Sequence, residues 1–215
     1  MTVALVPMKD MGKAKQRLSP ILSDAERRDL VTAMLRDVLI ALRTARNIER
    51  VVIVAHDRGY LEFEAEVIEE AVNNGYNEAI GFALTQPAFA DADAILIVPG
   101  DVPAVTADEI DALSAPATAP TIRIAAARDG DGTNGLAIAP PDLMQTAFGI
   151  GSFERHKKAA ETTGAGIEII AGPGIAFDID TPEDLIAFCA VDGTGETHTF
   201  LDLSGIRRRL LAEKA

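Results

Sequence analysis

Ala94-Ile-Leu-Ile-Val-Pro-Gly-Asp101 joins an uninterrupted apolar, β-prone run to a Pro-Gly break and an acid. Such a run is what a parallel strand covered on both faces requires. Two others stand upstream of it, Val3-Ala-Leu-Val-Pro7 and Val51-Val-Ile-Val-Ala55. Between those two, Ser23-Asp-Ala-Glu26 has capping-box spacing, and Leu30, Val31, Met34, Leu35, Val38, Leu39 and Leu42 recur at helical intervals. The pattern predicts an amphipathic helix over about residues 23–43.

Downstream, the same reading predicts a weak strand at 65–68, a helix at 77–84 and a helix capped by Thr106-Ala-Asp-Glu109. Strands at 121–127 and 136–139 flank the turn-rich Arg128-Asp-Gly-Asp-Gly-Thr-Asn-Gly135. Ser152 is placed as the cap of a helix reaching about residue 163, and 167–170 and 175–178 are read as the last core strands. Thr181-Pro-Glu-Asp184 opens another helix with proline at its first position. The tail is read as a strand at 197–203 and a short helix carrying Arg207, Arg208 and Arg209. Strands alternating with helices imply an α/β fold with a right-handed, mostly parallel central sheet.

The 215 residues, 48% of them hydrophobic, suffice for one domain with a sizeable core, and no repeat or composition break marks a second. The start of the chain has neither the basic, apolar layout of a signal peptide nor a membrane-length apolar run, so a cytoplasmic protein is expected. Cys189, the single cysteine, sits in an apolar helical setting and reads as core. A net charge of -13 argues against nucleic acid and membrane as partners, because the overall field repels both.

A polyanionic substrate would therefore need a local cationic site, and Lys9, Lys13, Lys15 and Arg17 cluster in the loop after the first strand. In an open α/β sheet, ligands bind beyond the carboxyl ends of the strands, where this loop, Asp101 and the Asp178-Ile-Asp180 pair all fall. A carboxylate ending an apolar strand needs solvent, a metal or a hydrogen-bonding partner. Acids gathered in one crevice would suit Mg2+, which takes a few carboxylates together with water and phosphate oxygens. The bland alternatives are a solvated charge run in the cationic loop and a helix cap at Asp180 or Thr181. His56, His156 and His198 are scattered and assigned to no metal, although His156, one helical turn after Ser152, could approach a phosphate.

Taken in order, several segments resemble the CofC/FbiD family, the guanylyltransferases of coenzyme F-420 biosynthesis. They are Val6-Pro-Met-Lys9, Ala14-Lys-Gln-Arg-Leu-Ser-Pro20, Tyr76-Asn-Glu-Ala79, Val98-Pro-Gly-Asp-Val-Pro103, Asp131-Gly-Thr-Asn134, Phe148-Gly-Ile-Gly-Ser-Phe-Glu-Arg-His156 and Asp178-Ile-Asp-Thr-Pro-Glu-Asp-Leu185. The resemblance implies a single-domain nucleotidyltransferase fold, Rossmann-like and of the GT-A type. It implies Mg2+-dependent transfer of GMP from GTP to 2-phospho-L-lactate, phosphoenolpyruvate or 3-phospho-D-glycerate, with release of pyrophosphate. By the same resemblance Asp101 and Asp178, with Asp180 as a further candidate, hold metal, and Lys15 joins them in catalysis. Lys15, Glu78, Thr133, Gly149 and Ser152 surround the phosphorylated acid, while Lys9 and Arg17 contact the nucleotide. A homodimer is a family-level expectation, with segment 194–215 as its candidate interface. Met8, Met11, Gly100 and Ile150 depart from the family pattern and bear on the choice of acceptor. The competing readings are a molybdenum-cofactor or sugar-phosphate nucleotidyltransferase and a non-catalytic nucleotide-binding regulator.

Overall fold

The computed structural model describes residues 1–8, 15–56, 59, 63, 65–72 and 75–212, so the expectations for Lys9 and Lys13 lie outside the described residues. Its strands are β1 (Thr2–Pro7), β2 (Arg50–Ala55), β3 (Glu66–Glu69), β4 (Ala94–Ile97), β5 (Thr121–Ala126), β6 (Thr133–Ala139) and β7 (Gly166–Ile169). Its α-helices are α1 (Asp24–Thr44), α2 (Tyr76–Leu84), α3 (Ala107–Leu113), α4 (Ser152–Glu161), α5 (Pro182–Cys189), α6 (Glu196–Leu203) and α7 (Ile206–Ala212).

The strands form one sheet in the order β3-β2-β1-β4-β6-β5-β7. β1 pairs in parallel with β2 and β4, β2 with β3, and β5 with β7. β6 runs against both of its neighbours, β4 and β5. This reversal matters for the site. It brings the first residues of β6 to the edge of the sheet where β1 and β4 end, since Ile97 at the end of β4 lies opposite Leu136.

The apolar runs are buried on both faces, as their composition requires. Ala4, Val6, Ile53, Ala55, Leu96 and Val98 pack with Leu35, Val38, Leu39 and Leu42 of α1 and Ile110 and Leu113 of α3. The alternate residues Val3, Leu5, Val52, Val54, Ile95 and Ile97 pack with Ala79, Ile80 and Ala83 of α2 and Ala160 of α4. A third cluster joins Leu30, Val31 and Met34 of α1 to Leu185, Phe188 and Cys189 of α5, Leu201 of α6, and Ile206 and Leu210 of α7. Each fully buried Leu, Ile or Val contributes roughly 1.5–3 kcal/mol by removal from water. No helix among the described residues is long and apolar enough to cross a membrane.

Four expectations are corrected. Segment 197–203 is helical, because Asp37 of α1 caps it through the amides of Glu196 (2.7 Å) and Thr197 (2.9 Å), and Thr197, His198 and Leu201 are buried at helical spacing. Segment 175–178 is not a strand. Turn bonds from Ala176 N–H to Gly172 and from Phe177 N–H to Gly174 coil it, while Glu109 of α3 accepts from the Gly174 amide at 2.8 Å. β7 is no core strand either; it lies at the sheet edge with Ile169 50% exposed. Finally, the cap of α4 is Gly151, in left-handed conformation at φ 69°, and Ser152 is the first helical residue.

Candidate active site

A cleft of about 480 Å³ opens beyond the carboxyl ends of β1 and β4. Its walls come from distant parts of the chain, with Lys15 and Arg17 on one side, Asp101, Asp178 and Asp180 at the floor, and Thr133, Gly149 and Ser152 opposite.

Lys15 is the one non-glycine residue among those described with a left-handed backbone, at φ 53°. That conformation costs of order 1 kcal/mol for an L-residue and persists only where surrounding contacts impose it. Here its ammonium donates to Asp101 Oδ2 at 2.6 Å and to Asp180 Oδ1 at 2.5 Å. Burial disfavours the charged amine, yet the Asp101 and Asp180 carboxylates outweigh it and raise the Lys15 pKa. The lysine is therefore a fixed cation bridging the loop after β4 and the coil that leads into α5.

The main-chain bond from Ile179 N–H to the Asp101 carbonyl, at 3.1 Å, holds the two acidic segments together. Asp178 shares the floor, where burial first, and then the charges of Asp101 and Asp180, push its pKa up. Asn134 Nδ2 donates to its Oδ1 at 3.2 Å and partly offsets that. Tyr76 lies against the same acids, and burial followed by the Asp101 charge raises the pKa of its phenol.

The opposite wall is the 147–152 loop, whose path needs positive φ at Gly149 (113°) and Gly151 (69°). Arg155 gathers the loop from behind, donating to the carbonyls of Ala147 (2.9 Å), Phe148 (3.3 Å) and Ile150 (2.5 Å). Asn77 of α2 ties it from the other side, donating to the Phe148 carbonyl at 3.1 Å and accepting from the Phe148 amide at 2.7 Å. Ser152 Oγ donates to Thr133 Oγ1 at 3.2 Å, and His156 Nδ1 lies 3.0 Å from the same Thr133 oxygen. Ile150, 89% exposed, stands at the rim.

Of the residues singled out from sequence, Lys15, Arg17, Asp101, Thr133, Gly149, Ser152, Asp178 and Asp180 come together in this cleft. Glu78 does not line it. In the first turn of α2 its side chain is exposed and folds back over Gly75. Asp180 is not a helix cap, since Thr181 fills that role with a capping box to Asp184. His156 is wholly buried behind Thr133 rather than facing the cleft. Asn134, Asn77 and Tyr76 were missed, although all three lie inside the segments Asp131–Asn134 and Tyr76–Ala79 that carry the family resemblance. The signal for Asn134 was its place directly after Thr133 in the Asp131–Asn134 segment.

Among the described residues no three acidic, histidine or cysteine side chains are grouped so as to hold a metal ion by themselves. An open arrangement is nonetheless what Mg2+ favours, because it keeps waters and substrate oxygens among its ligands. Burial first, and then the charges of Asp101 and Asp180, raise the pKa of Asp178, and a dication beside it would offset both. Asp101 and Asp178 are the oxygen donors such an ion would take here, with water and substrate completing its shell.

Comparison with known proteins matches residues 2–207 to the family described as guanylyl transferase CofC like. A phosphoenolpyruvate guanylyltransferase of Sphaerobacter thermophilus is 41% identical over 189 residues, 86% of this chain and 90% of the relative. A 2-phospho-L-lactate guanylyltransferase of Methanothermobacter thermautotrophicus is 34% identical over 188 residues, 86% of this chain and 82% of the relative. Among solved structures, a candidate nucleotide-diphospho-sugar transferase from Desulfovibrio desulfuricans G20 superposes with a TM-score of 0.78 at 14% identity, covering 97% of each chain. A nucleotidyl transferase from Methanothermobacter gives 0.61 at 16% identity, over 94% of this chain and 99% of the other. These two likenesses establish the nucleotide-diphospho-sugar transferase type of fold, with its mostly parallel sheet.

Proposed function

Because the chain belongs to the CofC-like guanylyl transferase family, we propose that it transfers GMP from GTP to a small phosphorylated carboxylic acid and releases pyrophosphate. A phosphate oxygen of the acid attacks the α-phosphorus of GTP, forming the new P–O bond as the bond to the β-phosphate oxygen breaks. The observation that carries this reading is the Lys15 ammonium held between Asp101 and Asp180 on the floor of the cleft. A permanent positive charge there would attract phosphate oxygens, and it keeps two carboxylates from repelling each other.

Asp101 and Asp178 would hold Mg2+, with Asp180 beside them. Bound there, the ion supplies charge stabilisation of phosphate oxygens and of the departing pyrophosphate. Lys15 positions the acid's phosphate, Arg17 at the rim meets the triphosphate, and Thr133, Gly149 and Ser152 receive the acid. Burial of Thr133 and Ser152 strengthens their hydrogen bonds by excluding water. Phosphoenolpyruvate is the first acceptor to try, given the name of the 41% identical relative. Such a product would serve coenzyme F-420 biosynthesis.

The test is pyrophosphate release from GTP and Mg2+ with phosphoenolpyruvate, 2-phospho-L-lactate, 3-phospho-D-glycerate and a set of sugar phosphates. Turnover confined to sugar phosphates would move the chain to a sugar-nucleotide activity, and GTP binding without turnover on any acceptor would make it a regulator.

A further inference from the structure

We propose that His156 is a positioning residue, a neutral imidazole whose Nδ1–H donates to Thr133 and so forces the Thr133–Ser152 pair to present a hydrogen-bond donor to the cleft. The inference rests on the reading of that wall as the acid's binding site and deepens it.

The tautomer follows from partners. The backbone N–H of Ala147 donates to His156 Nε2 at 2.8 Å, so Nε2 is an acceptor and carries no proton. A neutral ring then holds its proton on Nδ1, which faces Thr133 Oγ1 at 3.0 Å and has to donate to it. Neutrality follows from the setting. The ring is fully buried, packs edge-on against Phe148 with centroids 4.8 Å apart, and neighbours the Arg155 guanidinium. Burial, with Arg155 assisting, lowers its pKa to about 4.

A count of protons gives the consequence. Thr133 and Ser152 own one hydroxyl proton each, and the bond between them at 3.2 Å uses one. Neither proton can go to His156, since Nδ1 is itself a donor. The remaining proton points into the cleft whichever way the Thr133–Ser152 bond runs. The wall therefore selects an oxygen with lone pairs and no proton, a carboxylate or phosphate, and disfavours a hydroxyl or amide N–H at that place. With the opposite tautomer both hydroxyl protons could be consumed internally, and the wall would offer only lone pairs to an anion.

Two measurements decide the matter. In wild-type protein with 15N-labelled histidine, long-range 1H–15N spectra should show His156 with Nδ1 protonated and Nε2 bare from pH 6 to 8. Substituting His56 and His198 assigns the signals. An Nε2–H tautomer or an imidazolium in that range overturns the proposal, with no variant of His156 needing to fold. Kinetically, His156→Asn keeps a donor near the Nδ1 position, whereas His156→Gln carries its amide to the Nε2 position. Gln should raise the acid's KM about tenfold, the equivalent of ~1.4 kcal/mol, with GTP KM unchanged, while Asn restores most of it. Equal effects of Asn and Gln, or equal shifts for acid and GTP, would reduce His156 to a packing residue. Absence of turnover with every acid would count against the proposed function, and the tautomer measurement would still stand on its own.

Discussion

Nζ of Lys15 lies 2.6 Å from Oδ2 of Asp101 across 86 residues of sequence, and the lysine side chain that makes the bond is only 9% exposed. A buried ammonium between two carboxylates neutralises, in the free protein, charge that a bound cation would otherwise meet. Lys15→Gln should therefore lower Tm when no divalent ion is present. Asp180 is 46% exposed, so solvent screens part of the loss, and about 1–2 kcal/mol remains. For a chain of this size that is roughly 2–8 °C. Added Mg2+ should recover more Tm in the variant than in wild type, as read by calorimetry. An equal response of the two proteins to Mg2+ would show that lysine and metal do not share the acids.

Asp101→Asn and Asp178→Asn should each cut turnover by about two orders of magnitude or more, because each removes a charge from the metal-binding floor and leaves the packed strands untouched. Pyrophosphate release is the readout, with circular dichroism to verify the fold. Near-normal Mg2+-dependent rates in both variants would remove the floor acids from the mechanism.

Asp178 also gives a pH signature. Its folded-state pKa is raised by burial and by Asp101 and Asp180, so the folded form binds a proton more tightly than the unfolded chain. By linkage, the group costs stability as pH rises from the ordinary carboxylate value through the raised one, and costs nothing below both. Asp178→Asn should thus be more stable than wild type at pH 7 in chelator, with the advantage vanishing near pH 3. Its amide oxygen can still accept from Asn134. A variant less stable than wild type at pH 7 would mean that the carboxylate is better paired than its surroundings indicate.

The sheet core was legible because its runs carry their own reason to be strands: Val3 to Val6, Val52 to Val54 and Ile95 to Ile97 are apolar on successive residues and end up buried on both faces. Asp101 was legible because it follows the end of β4, whereas Asp178 and Asp180 were reached through a strand reading of 175–178 that the structure replaces with a coil. What escaped depended on partners remote in sequence. Asp37 turns a β-prone segment into α6, Glu109 coils the segment before Asp178, and the antiparallel course of β6 carries Asn134 to the cleft. Glu78 lies outside the lining of the cleft, and its neighbour Asn77 is the α2 residue that grips the loop.

Asp37→Ala tests the first of those remote partners. The carboxylate is 8% exposed and receives two amides at the start of α6, where a β-carbon on Gly195 would lie 2.7 Å from its Oδ1. Removing it leaves two amide donors uncapped at a cost of about 2 kcal/mol. No α6 residue lines the cleft, so kcat should persist below the lowered Tm. Loss of kcat in protein that remains folded would reveal a coupling between the C-terminal helices and the floor acids.

Ser152→Ala separates acceptor binding from nucleotide binding. Ser152 is 1% exposed, lines the cleft and donates to Thr133, so its loss frees Thr133 to turn and weakens the donor that meets the acid. A hydrogen bond to a charged group is worth about 1.5–3 kcal/mol, which corresponds to roughly a tenfold to hundredfold rise in the acid's KM. GTP affinity should hold, because among the described residues Arg17 and the acids Asp101, Asp178 and Asp180 make no hydrogen bond with Ser152 or Thr133. Helix α4 should hold as well. Its cap is Gly151, and alanine is a good residue in the first turn, so Tm should stay within a few degrees of wild type. Titrations of GTP and of the acid on the same preparation give the answer. Weakening of both ligands to the same degree, or an unchanged acid KM in a folded variant, would place the acid somewhere other than this wall.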